Sequence, residues 1–322
     1  MKNQIKGVIL SLIGLGILLY LIWKMNISLS IIYSIKYIQF ILVAILLILI
    51  LRFIAALRMK HLLLSTNKKN VPFRKIVMIE FISKFLFYTT PFKLNVPAKA
   101  ILLNKTCDVK PSDGASVVTF EYALDTSIAL FIGIFGVFLF FKNISLAKIT
   151  YVILFVGICT LVFLSTPAGI FDKLRRKSEH IRNPILRRTT TFIFNLMKTV
   201  RETWITIIFN KQMYYVLPIT ALFWIVGALF TKSLFLSADY YIPLTWIIVV
   251  ECVAAITGGV SNIPGGLGVS EATMVLLYTA LGISREVSVA VVLLYRLLTI
   301  APIIVGYVFS LHVGLRDFIK TK

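Results

Sequence analysis

Ser261-Asn262-Ile263-Pro264-Gly265-Gly266-Leu267-Gly268-Val269-Ser270-Glu271 interrupts an otherwise continuous apolar tail with one proline, three glycines and a carboxylate. Such a stretch cannot carry a regular helix, because proline removes a backbone donor and glycine pays the largest entropy for helical order. Non-helical backbone at membrane depth persists only where protein or a water-lined hollow satisfies its N–H and C=O groups, so the break marks a site. A second break, Pro91 to Ala100 (PFKLNVPAKA), repeats the core of the first: Asn95-Val96-Pro97 against Asn262-Ile263-Pro264. Paired interruptions in two halves of a chain are the best sequence pointer to a transporter's binding site.

The composition supports a membrane reading. Hydrophobic residues make up 59% of the 322, with a mean hydropathy of +0.93, well above the share a soluble core can hide. Lys and Arg outnumber Asp and Glu by 34 to 13. They are dispersed among short loops, which suits an anionic bilayer surface and argues against a nucleic-acid partner. Cys107, Cys159 and Cys252 stand far apart with no CxxC pair, and His61, His180 and His312 are equally scattered, so neither a disulfide framework nor a metal site is expected. No GxxxxGK[ST] loop and no HExxH occurs, and no cofactor is expected.

Apolar runs of spanning length are predicted at 7–23, 38–57, 115–141, 149–166, 215–236, 242–257, 269–282 and 287–311. The run 76–90 has only about 22 Å of helix before Pro91 and is predicted to dip in and return through 98–103. Within that dip Glu80 and Lys84 are one turn apart and are expected to neutralise each other. The basic loops after residue 57 and over 167–191 are placed in the cytoplasm, with both termini, in a plasma-membrane protein. Residues 192–209 segregate polar and apolar faces and read as an amphipathic surface helix. The predicted fold is therefore all-α: a polytopic bundle of about eight spans plus one re-entrant hairpin. It forms one integral membrane domain over 1–322, with an N-terminal half 1–166, a basic loop and surface helix over 167–212, and a C-terminal half 213–322.

Ionisable residues inside spans are costly and by default face an interior. Glu121 and Asp125, four apart on one helical face, are candidates for binding a cation, sharing a proton or meeting basic partners on a neighbouring helix. Glu251 belongs to the same group. Arg296 is a natural partner for Glu251 or Glu271, or else a guanidinium fork for a phosphate. Around the breaks, Asn95, Pro97 and Lys99 on one side and Asn262, Pro264, Gly265, Gly266, Gly268 and Glu271 on the other are candidates for lining a head-group site. Lys93 could add positive charge there. The helix beginning near Gly268 aims its positive end at the break.

Pro264-Gly265-Gly266-Leu267-Gly268-Val269, then Glu271, then Tyr295-Arg296-Leu297-Leu298-Thr299 and Pro302 resemble the signature of the lysylphosphatidylglycerol synthase transmembrane region, the flippase-like domain family. The N-terminal half is similar, with Pro97 and its flanks and Val117-Val118 leading to Glu121 and Asp125. Two departures stand out: the first break reads Pro97-Ala98-Lys99-Ala100 where the family often has a Gly-rich, acidic form, and Tyr122 follows Glu121 where an Arg is common. The family's larger members fuse this region to a soluble aminoacyltransferase, for which no segment fits after Leu311. The resemblance therefore implies translocation of an anionic or aminoacylated phospholipid, or of a polyprenyl-phosphate carrier, and not synthesis. The alternatives are a membrane subunit serving a lipid-modifying glycosyl or aminoacyl transferase, and a scaffold that transports nothing. Self-association into a homo-oligomer is left open.

Overall fold

The computed structural model describes residues 36–67, 71–90, 95–140, 168–179, 184–261 and 263–320. The expected spans at 7–23 and 149–166, together with Asn262, Lys93, Cys159 and His180, lie outside the described residues. Within them the chain forms ten α-helices and no strand: α1 (Ile38–Asn67), α2 (Phe73–Thr89), α3 (Asn95–Cys107), α4 (Pro111–Phe140), α5 (Ala168–Glu179), α6 (Pro184–Ile208), α7 (Met213–Ser237), α8 (Leu244–Val260), α9 (Val269–Ala280) and α10 (Arg285–Lys320). Prolines open α4 and α6, where the missing N–H would have had no helical partner anyway. Among the described residues four helices are long and apolar enough to cross a membrane: α1, α4, α7 and α10.

The remaining membrane helices come in two short pairs. α2 and α3 have 17 and 13 residues, and α8 and α9 have 17 and 12. At 1.5 Å per residue the shorter legs reach only about 18–20 Å, too little for ~30 Å of hydrocarbon. The first pair is the expected dip. The second corrects the reading of 242–257 and 269–282 as two full spans: residues 269–280 are a half-length leg, and the interruption at Pro264–Gly266 is the tip of a second hairpin.

Each half thus runs long helix, short pair, long helix, and the packing repeats accordingly. α2 lies against α10 as α8 lies against α4, and α3 rests on α4 as α9 rests on α10. α1 and α7 pair antiparallel: the N–H of Lys36, just ahead of α1, donates to Ser237 O at the end of α7, while His61 near the other end of α1 stacks on Tyr215 at 5.1 Å. The halves are therefore inverted with respect to one another, an arrangement common to many transporter folds. Close approach is secured by glycine. A Cβ at Gly306 would overlap the Phe81 carbonyl of α2, and one at Gly136 would overlap Val249 of α8.

α6 does not lie free on a surface. Its Trp204 packs edge-on to Phe120 at 5.7 Å and donates to Ser116 O, and Ile207 is fully buried against the bundle. α5 packs on α6, where Lys198 pairs with Asp172 at 2.8 Å. That hydrogen bond holds the Asp172 carboxyl below the usual carboxylate range.

Candidate functional site

Two buried clusters of charge flank a cavity between the halves. In the first, the α1 residue Arg58 places its guanidinium between two carboxylates of α4, 2.8 Å from Glu121 and 2.6 Å from Asp125. Lys99 of α3 completes the cluster, reaching Glu80 of α2 at 2.6 Å and Glu121 at 2.7 Å. The i, i+4 spacing of Glu121 and Asp125 is what lets one guanidinium grip both. Arg58 and Lys99 are only 2% and 3% exposed, so these are ion pairs in a low-dielectric interior.

Of the alternatives open for Glu121 and Asp125, the structure displays the basic-partner arrangement. Three expectations are corrected here. Arg58 belongs to the buried body of a 30-residue helix and not to the loop after residue 57. Glu80 pairs with Lys99 and not with Lys84, because Lys84 turns over the rings of Phe87 and Tyr88, 5.5 and 5.0 Å from their centroids. Lys99 flanks no open site: its ammonium is occupied by two carboxylates.

The second cluster is built by the tip of the second hairpin. Gly265, Gly266 and Gly268 all take positive φ, of 61°, 65° and 83°, which only glycine adopts without strain. The turn exposes the N-terminus of α9, and Glu271 fills it: one carboxylate oxygen accepts the Gly268 N–H at 2.7 Å, while the other pairs with Arg296 Nε. The positive helix end expected to welcome an external anion is thus already served by the chain's own third helical residue. Arg296 also donates to the Tyr88 hydroxyl at 2.9 Å and to Gly265 O at 3.4 Å. Tyr88 sits at the end of α2, so the first hairpin meets the tip of the second. A Cβ on Gly265 would overlap the Tyr88 ring.

Between the clusters lies a cavity of about 330 Å³. Gly265, Gly266, Arg296, Asp125 and Glu251 line it; Asn95, Lys99, Glu121 and Glu271 brace its walls without lining it. Pro97 lies in the first turn of α3, and Pro264 opens the tip turn. Asn95 is fully buried and donates to the hydroxyl of Tyr122, a wall residue. Glu251 pairs with neither Arg296 nor any other cation among the described residues; it accepts a hydrogen bond from Thr231.

Sequence reasoning overlooked Arg52, Lys84, Tyr88, Tyr122 and Trp224, all of them wall residues. Arg52 and Lys84 carried a legible signal, each being a charge inside an apolar run, 38–57 and 76–90. Cys107 and Cys252 are free thiols, and the described residues hold no group of His, Cys, Asp and Glu fit for a metal.

A helical bundle with two inverted, broken hairpins closing on a charged hollow defines a polytopic membrane protein. The chain belongs to the family described as lysylphosphatidylglycerol synthase TM region, whose profile matches residues 5–306. It is similar to a UPF0104 membrane protein of Methanocaldococcus jannaschii, 28% identical over 78% of this chain and 77% of the relative. A UPF0104 membrane protein of Pyrococcus horikoshii is 25% identical over 95% of this chain and 97% of its own length.

Proposed function

We propose that the protein is a flippase-like transporter that binds an anionic or aminoacylated lipid by its head group and carries it across the bilayer, the acyl chains staying in lipid. The observation that carries this reading is the charged hollow where the first hairpin meets the tip of the second. Hydrocarbon would not maintain such a hollow, since every buried charge there costs at least ~2.5–3.5 kcal/mol on insertion scales. The inverted halves supply the two equivalent arrangements that alternating access needs. In this reading Arg296 and Glu271 fasten the tips together around the head group. The ion pairs of Glu121 and Asp125 hold the N-terminal wall, and Glu251 is left to couple a proton or another cation.

The test is movement of fluorescent phosphatidylglycerol and its aminoacyl derivative in proteoliposomes, read by the fraction exposed to a membrane-impermeant quencher. Wild-type protein should accelerate exchange at least about tenfold over protein-free vesicles, and Arg296→Gln and Glu271→Gln should remove most of that gain, equivalent to about 1.4 kcal/mol or more in the barrier. Exchange no faster with protein than without it would end the transport reading.

A further inference from the structure

The two halves pair their buried charges differently. α2 and α8 are both 17 residues long, and each carries a glutamate at its eighth position, Glu80 and Glu251. In the first half Lys99 of the returning leg neutralises Glu80. The returning leg of the second half, α9, carries no Lys or Arg, and Glu251 has only the Thr231 hydroxyl. A carboxylate that its counterpart shows to need an ammonium is therefore turned toward the cavity without one.

The opposite imbalance exists on the α1, α2 and α7 wall of the same cavity. Arg58, Lys99 and Arg296 each pair with carboxylates, but Arg52 and Lys84 make no ion pair among the described residues. Arg52 lies over Phe223 at 5.9 Å, with a buried Nε that has no acceptor. The indole N–H of Trp224 is likewise buried without an acceptor. Arg52 and Trp224 each line the cavity with a donor that lacks the acceptor buried polar groups normally find, and Lys84 beside them, bonded to the Tyr88 hydroxyl, adds a positive charge with no carboxylate against it.

From this charge separation we infer that the cavity has two subsites: an anion subsite formed by Arg52, Lys84 and the Trp224 N–H, which takes a phosphodiester, and a cation subsite at Glu251 and Thr231, which takes a primary ammonium. The favoured ligand is a lipid head group that carries both. Arg296, saturated by Glu271, Tyr88 and Gly265, positions the tips and does not grip the phosphate. The inference rests on the cavity being a head-group site, but not on the bound lipid being moved.

The experiment is equilibrium binding to the full chain in detergent, using short-chain phosphatidylethanolamine and short-chain phosphatidylglycerol. Tryptophan fluorescence is one readout, since Trp224 faces the site. Wild-type protein should prefer the amine-bearing lipid by about tenfold. Glu251→Gln should erase that preference by weakening phosphatidylethanolamine alone, while Arg52→Gln and Lys84→Gln should weaken both lipids by about tenfold or more. Neither inorganic phosphate nor ethanolamine at the lipid's concentration should displace it; displacement by either would assign the pocket to a free ion and overturn the lipid assignment.

Equal affinity for the two lipids, or a Glu251→Gln variant that loses both alike while unfolding at the wild-type temperature, would overturn the inference. Glu251→Asp serves where Glu251→Gln fails to fold: it should keep the preference for the amine while reducing its size, and an unchanged or reversed preference would count against the subsite. The pattern expected here without exchange in vesicles would reject transport and leave the subsites standing. Exchange without any lipid preference would do the reverse.

Discussion

Arg58 shows how much can hang on one side chain. It holds two carboxylates of α4, and a third, Glu80, is tied to the same cluster through Lys99 and Glu121. Replacing a buried ion pair by matched apolar groups can be nearly neutral, but removing one partner leaves uncompensated charge and costs about 3–5 kcal/mol. Arg58→Met should therefore lower the unfolding temperature in detergent steeply, and the triple variant Arg58→Met, Glu121→Gln, Asp125→Asn should recover most of the loss. A single variant as stable as wild type would mean that the cluster contributes nothing to holding α1 on α4. None of these partnerships was legible in sequence. The i, i+4 spacing revealed that Glu121 and Asp125 share a face, but their partners come from helices that only folding brings near.

At the scale of the element, the second hairpin is set by its tip. Gly265 and Gly268 both take positive φ but have different surroundings: a Cβ at Gly268 meets nothing within 4 Å, whereas one at Gly265 would run into the Tyr88 ring. Gly268→Ala should cost about 1–3 kcal/mol, the penalty of a positive-φ backbone alone. Gly265→Ala carries that penalty and must also push Tyr88 away from Arg296, so its unfolding midpoint should fall further and lipid binding should fall with it. Equal midpoints for the two variants would show that the hairpin tips do not meet as described. The proline and glycines announced this break in the sequence. That residues 269–280 return as a half-length leg was hidden, because apolar residues continue through Leu281 and hydropathy does not register where a helix stops.

Across the whole molecule, antiparallel α1 and α7 place the bases of the two hairpins at opposite ends of the bundle. The first base is marked by Lys75, whose ammonium reaches the Thr106 carbonyl, and the second by exposed Tyr241, just ahead of α8. In a background with the three native cysteines replaced, Lys75→Cys and Tyr241→Cys should react with a membrane-impermeant maleimide from opposite sides of sealed vesicles. Labelling of both from one side would refute the inverted arrangement.

The sequence by itself determined that this is an α-helical membrane protein, where the long apolar helices among its described residues lie, and that a Pro-Gly-Gly turn interrupts its second half. Those features are local, being read from hydropathy over about twenty residues and from the backbone restrictions of proline and glycine. Tertiary structure alone decided which charges are spent on one another and which are left for a ligand. Arg58 neutralises α4, Glu271 caps its own helix and binds Arg296, and Glu251 stands without the lysine that its counterpart has. The physical reason is that the fate of a buried charge depends on partners within a few ångströms in space, and in this bundle those partners are up to 208 residues away along the chain, as Tyr88 is from Arg296.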